Sequence, residues 1–164
     1  MTEPSSTDTG SSGPQERLEA LGLTLPPVVA PLAAYVPAIR SGAMIYTAGQ
    51  LPMVDGQLAS AGKVGAEVGA AVAAALARTC ALNALAAAAS VAGGLSSIKR
   101  IVKLTGFVAS SPDFTGQPQV VNGASELLLE IFGDAGRHAR SAVGTAALPL
   151  DAPVEIELIV EAAD

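Results

Sequence analysis

The stretch "GRHARSAVGTAALPLDAPVEIELIVEA", residues 136–162, decides the fold. Its second half alternates: Glu155 and Glu157 fall on one face, Ile156 and Leu158 on the other. A period of two with one apolar side is a strand buried on one face. Residues 139–147 read as another strand, joined to the last one by the turn Leu148, Pro149, Leu150 and Asp151. On that strand Arg140, Ala142 and Gly144 point one way, while Ser141, Val143 and Thr145 point the other.

Arg137, His138 and Arg140 gather the only histidine and two of the nine Lys+Arg in the chain at the start of this strand pair. Arg140 is the sharpest of them. Small residues beside the guanidinium leave space in front of a planar fork that fits a carboxylate bidentately. The competing reading is a structural ion pair with Glu155 or Glu157 on the paired strand. Spacing leaves both open.

Working back towards the N-terminus, residues 119–132 read as a helix with Gly133 just beyond it. "SIKRIVKLTGFVAS" reads as a strand, with Val102, Leu104 and Val108 on one face and Ile101, Lys103, Thr105 and Phe107 on the other. From Val64 the period changes: Val68, Val72, Leu76, Thr79 and Leu82 share one helical face, and Gly93-Gly94 ends that helix. "AMIYTAGQLP" is a strand after a Ser41-Gly42 turn, and Asp55-Gly56 marks a hairpin. Four prolines make residues 23–39 extended and irregular. A short helix covers residues 15–20, with Gly22 as its stop. Residues 1–14 have the composition of a flexible tail. The organisation expected is a tail (1–14), an extension and arm (15–34) and one domain (35–164).

This order, β(β)–α–β–α–β–β, predicts an α+β fold with two helices covering one face of a mixed sheet. Ile101, Thr105 and Phe107 on the other face need a cover of their own, which a second subunit would supply. The length of 164 residues suits one core. A net charge of −6 with no Trp, two Tyr and three Phe disfavours nucleic acid as a partner. One His and one Cys, with no acidic pair at ligand spacing, exclude a zinc or di-iron site, and no glycine-rich phosphate loop is present. Glu67, Arg78 and Asn83 interrupt the alanine-rich stretch, so no membrane span is expected there. The lone Cys80 and the lack of a leader suggest a reducing cytoplasm.

"MIYTAGQLP", "LSSIKRIVKLTGFVASSPDF", "VVNGASELLLEIFG" and "ARSAVGTAALPLDAPVEIELIVEA" together resemble the RidA/YjgF (L-PSP-type) family over about residues 35–162. The resemblance implies a chorismate-mutase-like homotrimer with clefts between subunits. It implies cofactor-free hydrolysis of enamine or imine intermediates, of the 2-aminoacrylate or 2-iminobutyrate type, to 2-ketoacids and ammonia. In that frame Arg140 holds the substrate carboxylate and Glu155 positions or activates water. Tyr35, Gly49 and Asn122 complete the binding set. Where many members carry a serine before the "GQ" and a cysteine two after the arginine, this chain has Ala48 and Ala142, which implies a changed substrate. The alternatives are a non-catalytic trimer that binds small carboxylates, and the endoribonuclease or translation-inhibitor activity behind the L-PSP label.

Overall fold

The computed structural model describes residues 12–28, 30–31 and 34–164. The expected tail lies outside the described residues for its first eleven positions. Helix α1 (Pro14–Ala20) buries Leu18 and stops before Gly22, whose φ of 70° is left-handed. Strands β1 (Ala38–Ser41) and β2 (Met44–Thr47) form a hairpin. β3 (Met53–Val54) and β4 (Gln57–Leu58) form a second one, with Asp55 and Gly56 both at positive φ as a tight turn requires. Then come α2 (Ala70–Ala92), β5 (Ile98–Ala109), α3 (Gln117–Phe132), β6 (Ala139–Thr145) and β7 (Val154–Ala162).

The main sheet has the order β1-β2-β7-β5-β6, and α2 and α3 cover one face of it, as expected. β6 runs parallel to β5 across the α3 crossover, while β7 is antiparallel to β5. The two last strands therefore do not pair, contrary to the sequence reading: β5 lies between them. The connection over residues 146–153 is longer than a tight hairpin loop. It steps across the end of β5, where Ser110 N–H donates to Thr145 O and Ala109 N–H donates to Pro153 O. A structural ion pair from Arg140 to Glu155 or Glu157 falls with the strand pair.

Registers sort every side chain to a face. On the helix side the rows run Arg140–Leu104–Leu158 and Ala142–Gly106–Ile156. On the open side they run Ser141–Thr105–Glu157 and Val143–Phe107–Glu155. A further open-side row joins Ile39, Tyr46 and Ile159, and Ile39 is 60 % exposed. Ile101 was expected on this open side but is fully buried in the core. Two register shifts, between Ile98 and Arg100 and between Ile101 and Lys103, each insert one extra residue and reverse the alternation there.

α2 differs from expectation in the same instructive way. It begins at Ala70, after Val64 and Val68 have formed isolated bridges, and Val72 is exposed. Of the expected face Leu76 is buried; the residues that share its burial are Ala73, Ala77, Cys80, Ala81, Ala84, Leu85 and Ala88. By length and composition α2 could cross a membrane, but its alanine face packs on α3, β7 and β2 as a core helix does. Small side chains let the backbones come close. A Cβ at Gly123 in α3 would fall on the Ala74 carbonyl of α2, and one at Gly106 would meet the Val121 methyls.

Gly123→Ala should therefore destabilise the protein even though alanine favours a helix interior by about 1 kcal/mol. Overpacking against backbone costs about 1–3 kcal/mol, so the urea midpoint should fall. A midpoint at or above wild type would show that the helices have room to part.

Candidate functional site

Arg140 sits near the start of the edge strand β6, on the helix side, beside α3. Its Nη1 donates to Asn122 Oδ1 at 2.8 Å and to Ser125 Oγ at 3.3 Å. Asn122 and Ser125 lie three apart on α3, the spacing that puts two side chains on one helical flank. The remaining α3 face, Val120, Val121, Ala124, Leu127, Leu128 and Ile131, is buried and fixes the rotation of the helix. Among the described residues no carboxylate pairs with Arg140; the ion pairs are Arg78–Glu130, Lys99–Glu161 and Arg137–Asp134. The guanidinium is exposed, oriented and not neutralised by any of these acids.

Glu155 belongs to a different neighbourhood. It stands half-buried on the open face of β7, and burial first, then the Glu157 charge, push its carboxyl above the ordinary glutamate range. Gln50 and Ile156 exchange backbone hydrogen bonds of 2.8 and 3.0 Å, which pins the segment after β2 beside β7. Gly49 thereby lies against the Glu155 carboxylate, and a Cβ at Gly49 would occupy the carboxylate's place. Asn83 Nδ2 holds the same segment from α2, donating to Leu51 O (3.0 Å) and Met53 O (3.1 Å). Behind the strand Cys80 is buried. Desolvation, and secondarily the Glu155 charge, raise its thiol well above the usual range, so it is an inert neutral group.

Tyr35 is largely exposed and forms a cavity wall rather than core. The cavity, about 280 Å³, is bounded by Pro27, Val28, Pro31, Tyr35, Gly49 and Leu51, among others. The five residues singled out in the sequence therefore fall into two groups. Tyr35, Gly49 and Glu155 form one, and Asn122 and Arg140 the other. Arg140 and Glu155 lie on opposite faces of the sheet with β5 between their strands, so one chain does not bring them together. Ala48 donates its N–H to Pro37 O, and Ala142 packs against the core from beside Gly106. Among the described residues no group of three His, Cys, Asp or Glu gathers as metal ligands would.

Two residues were missed as parts of the site. Ser125 bonds Arg140, and its Oγ lies 2.9 Å from His138 Nε2, while His138 Nδ1 lies 2.6 Å from Gly136 O. The signals were present: Ser125 follows Asn122 at i+3, and His138 precedes Arg140 by two on an extended segment.

A carboxyl whose pKa is raised by folding binds protons more tightly in the folded state than in the unfolded state. Stability then falls as pH rises from the ordinary glutamate value through the raised one. Glu155→Gln removes that loss. Its melting temperature should exceed wild type at about pH 8 and converge on it at about pH 4. A constant offset across that range would contradict the assignment.

The family model described as "YjgF/chorismate mutase-like, putative endoribonuclease" matches residues 15–162. Protein TCP17 of Trypanosoma cruzi is 45 % identical over 145 residues, covering 88 % of this chain and 91 % of that protein. Among solved structures, Atu1372 from Agrobacterium tumefaciens, a protein of unknown function, superposes with a TM-score of 0.83 at 49 % identity, over 91 % of this chain and 92 % of its own. TdcF of E. coli, solved with bound serine, matches with a TM-score of 0.62 at 25 % identity, over 83 % and 94 %.

Proposed function

Given that the chain belongs to the YjgF/chorismate mutase-like family, we propose that it is a homotrimeric hydrolase of small carboxylate-bearing enamines and imines. The observation that carries this reading is the Arg140 guanidinium, held by Asn122 and Ser125 with no carboxylate paired to it among the described residues. A fixed cation with open donors suits a substrate carboxylate. The bound serine in TdcF, itself a small carboxylate, supports the same ligand class.

The open sheet face, with Ile39, Tyr46 and Val143 exposed on it, is the surface we assign to trimer contact. A cleft between subunits would set Arg140 of one subunit opposite Tyr35, Gly49 and Glu155 of the next. In the reaction an enamine is protonated on carbon to the iminium, whose carbon is attacked by water. With the carbon proton drawn from solvent, Glu155 takes one water proton as the C–O bond forms and returns it to nitrogen; as the C–N bond breaks it takes the remaining hydroxyl proton, which goes back to solvent. The products are a 2-ketoacid and ammonia. A carboxyl with a raised pKa is a stronger base than an ordinary glutamate, which suits this exchange, and no cofactor is needed for an electrophilic carbon. Ala48 and Ala142 leave the site less polar than its serine- and cysteine-bearing counterparts, which favours substrates with an apolar side chain. The free, buried Cys80 supports a reducing cytoplasm as the setting.

An endoribonuclease reading has less support. Both nitrogens of His138, the only imidazole, are engaged within the fold, and the chain carries a net charge of −6.

Imines generated in situ by a PLP-dependent dehydratase, followed by semicarbazide trapping, test the proposal. Wild type should accelerate imine loss, and Arg140→Ala should lower kcat/KM by about 100-fold, the loss of two charge-assisted hydrogen bonds. Arg140→Lys should recover little, because an ammonium cannot present the fork. Wild-type rates no faster than the protein-free control would overturn it.

A further inference from the structure

We propose that Ser125 and His138 form a positioning relay behind Arg140 that locks its guanidinium with the Nε–Nη2 edge turned outward. The inference rests on the reading of Arg140 as a carboxylate clamp and adds residues to it.

A donor count carries it. A guanidinium has five N–H donors, two on each terminal nitrogen and one on Nε. Nη1 serves two acceptors, Asn122 Oδ1 (2.8 Å) and Ser125 Oγ (3.3 Å). Among the described residues Nη2 and Nε have no partner. They form the parallel pair of donors that receives a carboxylate bidentately.

Ser125 is the hinge of the arrangement. Its oxygen accepts from Arg140 and keeps its own O–H to donate, and in the relay His138 Nε2, 2.9 Å away, receives it. Nε2 can accept only if the ring is neutral with its proton on Nδ1. That proton has an acceptor, the Gly136 carbonyl at 2.6 Å. With the proton on Nδ1 the chain has one polarity: Arg140 donates to Ser125, Ser125 to His138, and His138 to the backbone. Gly136 is itself held. It is buried, and a Cβ there would fall on the Leu128 carbonyl of α3. Each end of the relay is thus tied to α3 or to the segment entering β6. Removing either side chain leaves Asn122 as the one firm hold on Nη1, so the guanidinium can turn about that bond and each N–H bond to a ligand costs more ordering.

Two measurements on the intact protein test this. Long-range proton–nitrogen correlation spectra of 15N-labelled wild type should show His138 protonated at Nδ1 and bare at Nε2. Calorimetric titration with 2-oxobutyrate, a stable small ketoacid, should give affinities about tenfold weaker for Ser125→Ala and for His138→Phe. The double variant should be no more than about twofold weaker than either single one, because links in series fail together. Arg140→Ala should abolish binding. A proton on Nε2, or single variants that bind like wild type while Arg140→Ala does not, overturns the relay and leaves the clamp standing. Arg140→Ala binding like wild type, or wild type failing to bind 2-oxobutyrate, overturns the clamp reading and the relay's role with it.

Discussion

β5 is hydrogen-bonded to β6 on one edge and to β7 on the other, and the rest of the molecule is arranged by that double pairing. The parallel partner arrives through α3, and the antiparallel one returns after the chain has stepped over the end of β5. Because alternation is strict on β6 and β7, the two registers decide which face each side chain takes. They send Arg140 to the helix side and Glu155 to the open side. A slip of one residue in the β5–β7 register would turn Glu155 to the core and expose Ile156 and Leu158, and so be rejected by the hydrophobic term alone.

Against this spine the helices are held by small residues. Alanine gives up no side-chain rotamer freedom on burial and lets helix axes approach, so the gain comes from many close dispersion contacts rather than from large side chains. This is also why the α2 face was misread. A search for periodic large aliphatics finds Val68 and Val72, whereas the buried stripe is Ala73, Ala77, Ala81, Ala84 and Ala88 around Leu76 and Leu85. Alanine's weak apolar signal hides a face from periodicity. The α3 face, built from Val, Leu and Ile, was legible for the opposite reason.

Element types and order could be read from turn glycines, the Asp55-Gly56 hairpin and the alternation in β7. Strand partners could not. Local pattern says nothing of which strand inserts between two others, and the extra residues in β5 that carry Ile101 into the core leave no mark on composition. The candidate site shows the same division. Arg140 and Glu155 were conspicuous as charges on apolar strands, and the family resemblance added Tyr35, Gly49 and Asn122. Ser125 and His138 act through hydrogen bonds between α3 and the approach to β6, a tertiary relation that spacing suggests only once Arg140 is known to face α3.

One chain keeps Arg140 and Glu155 on opposite faces of its sheet, so the site we propose has to be divided between subunits. Mixing Arg140→Ala and Glu155→Gln proteins, each expected to be strongly impaired alone, by joint refolding is the most direct test. If each cleft takes its arginine from one subunit and its glutamate from the next, random 1:1 trimers should recover about one quarter of wild-type imine hydrolysis. Recovery near zero, with mixed trimers verified by mass, would contradict a shared site.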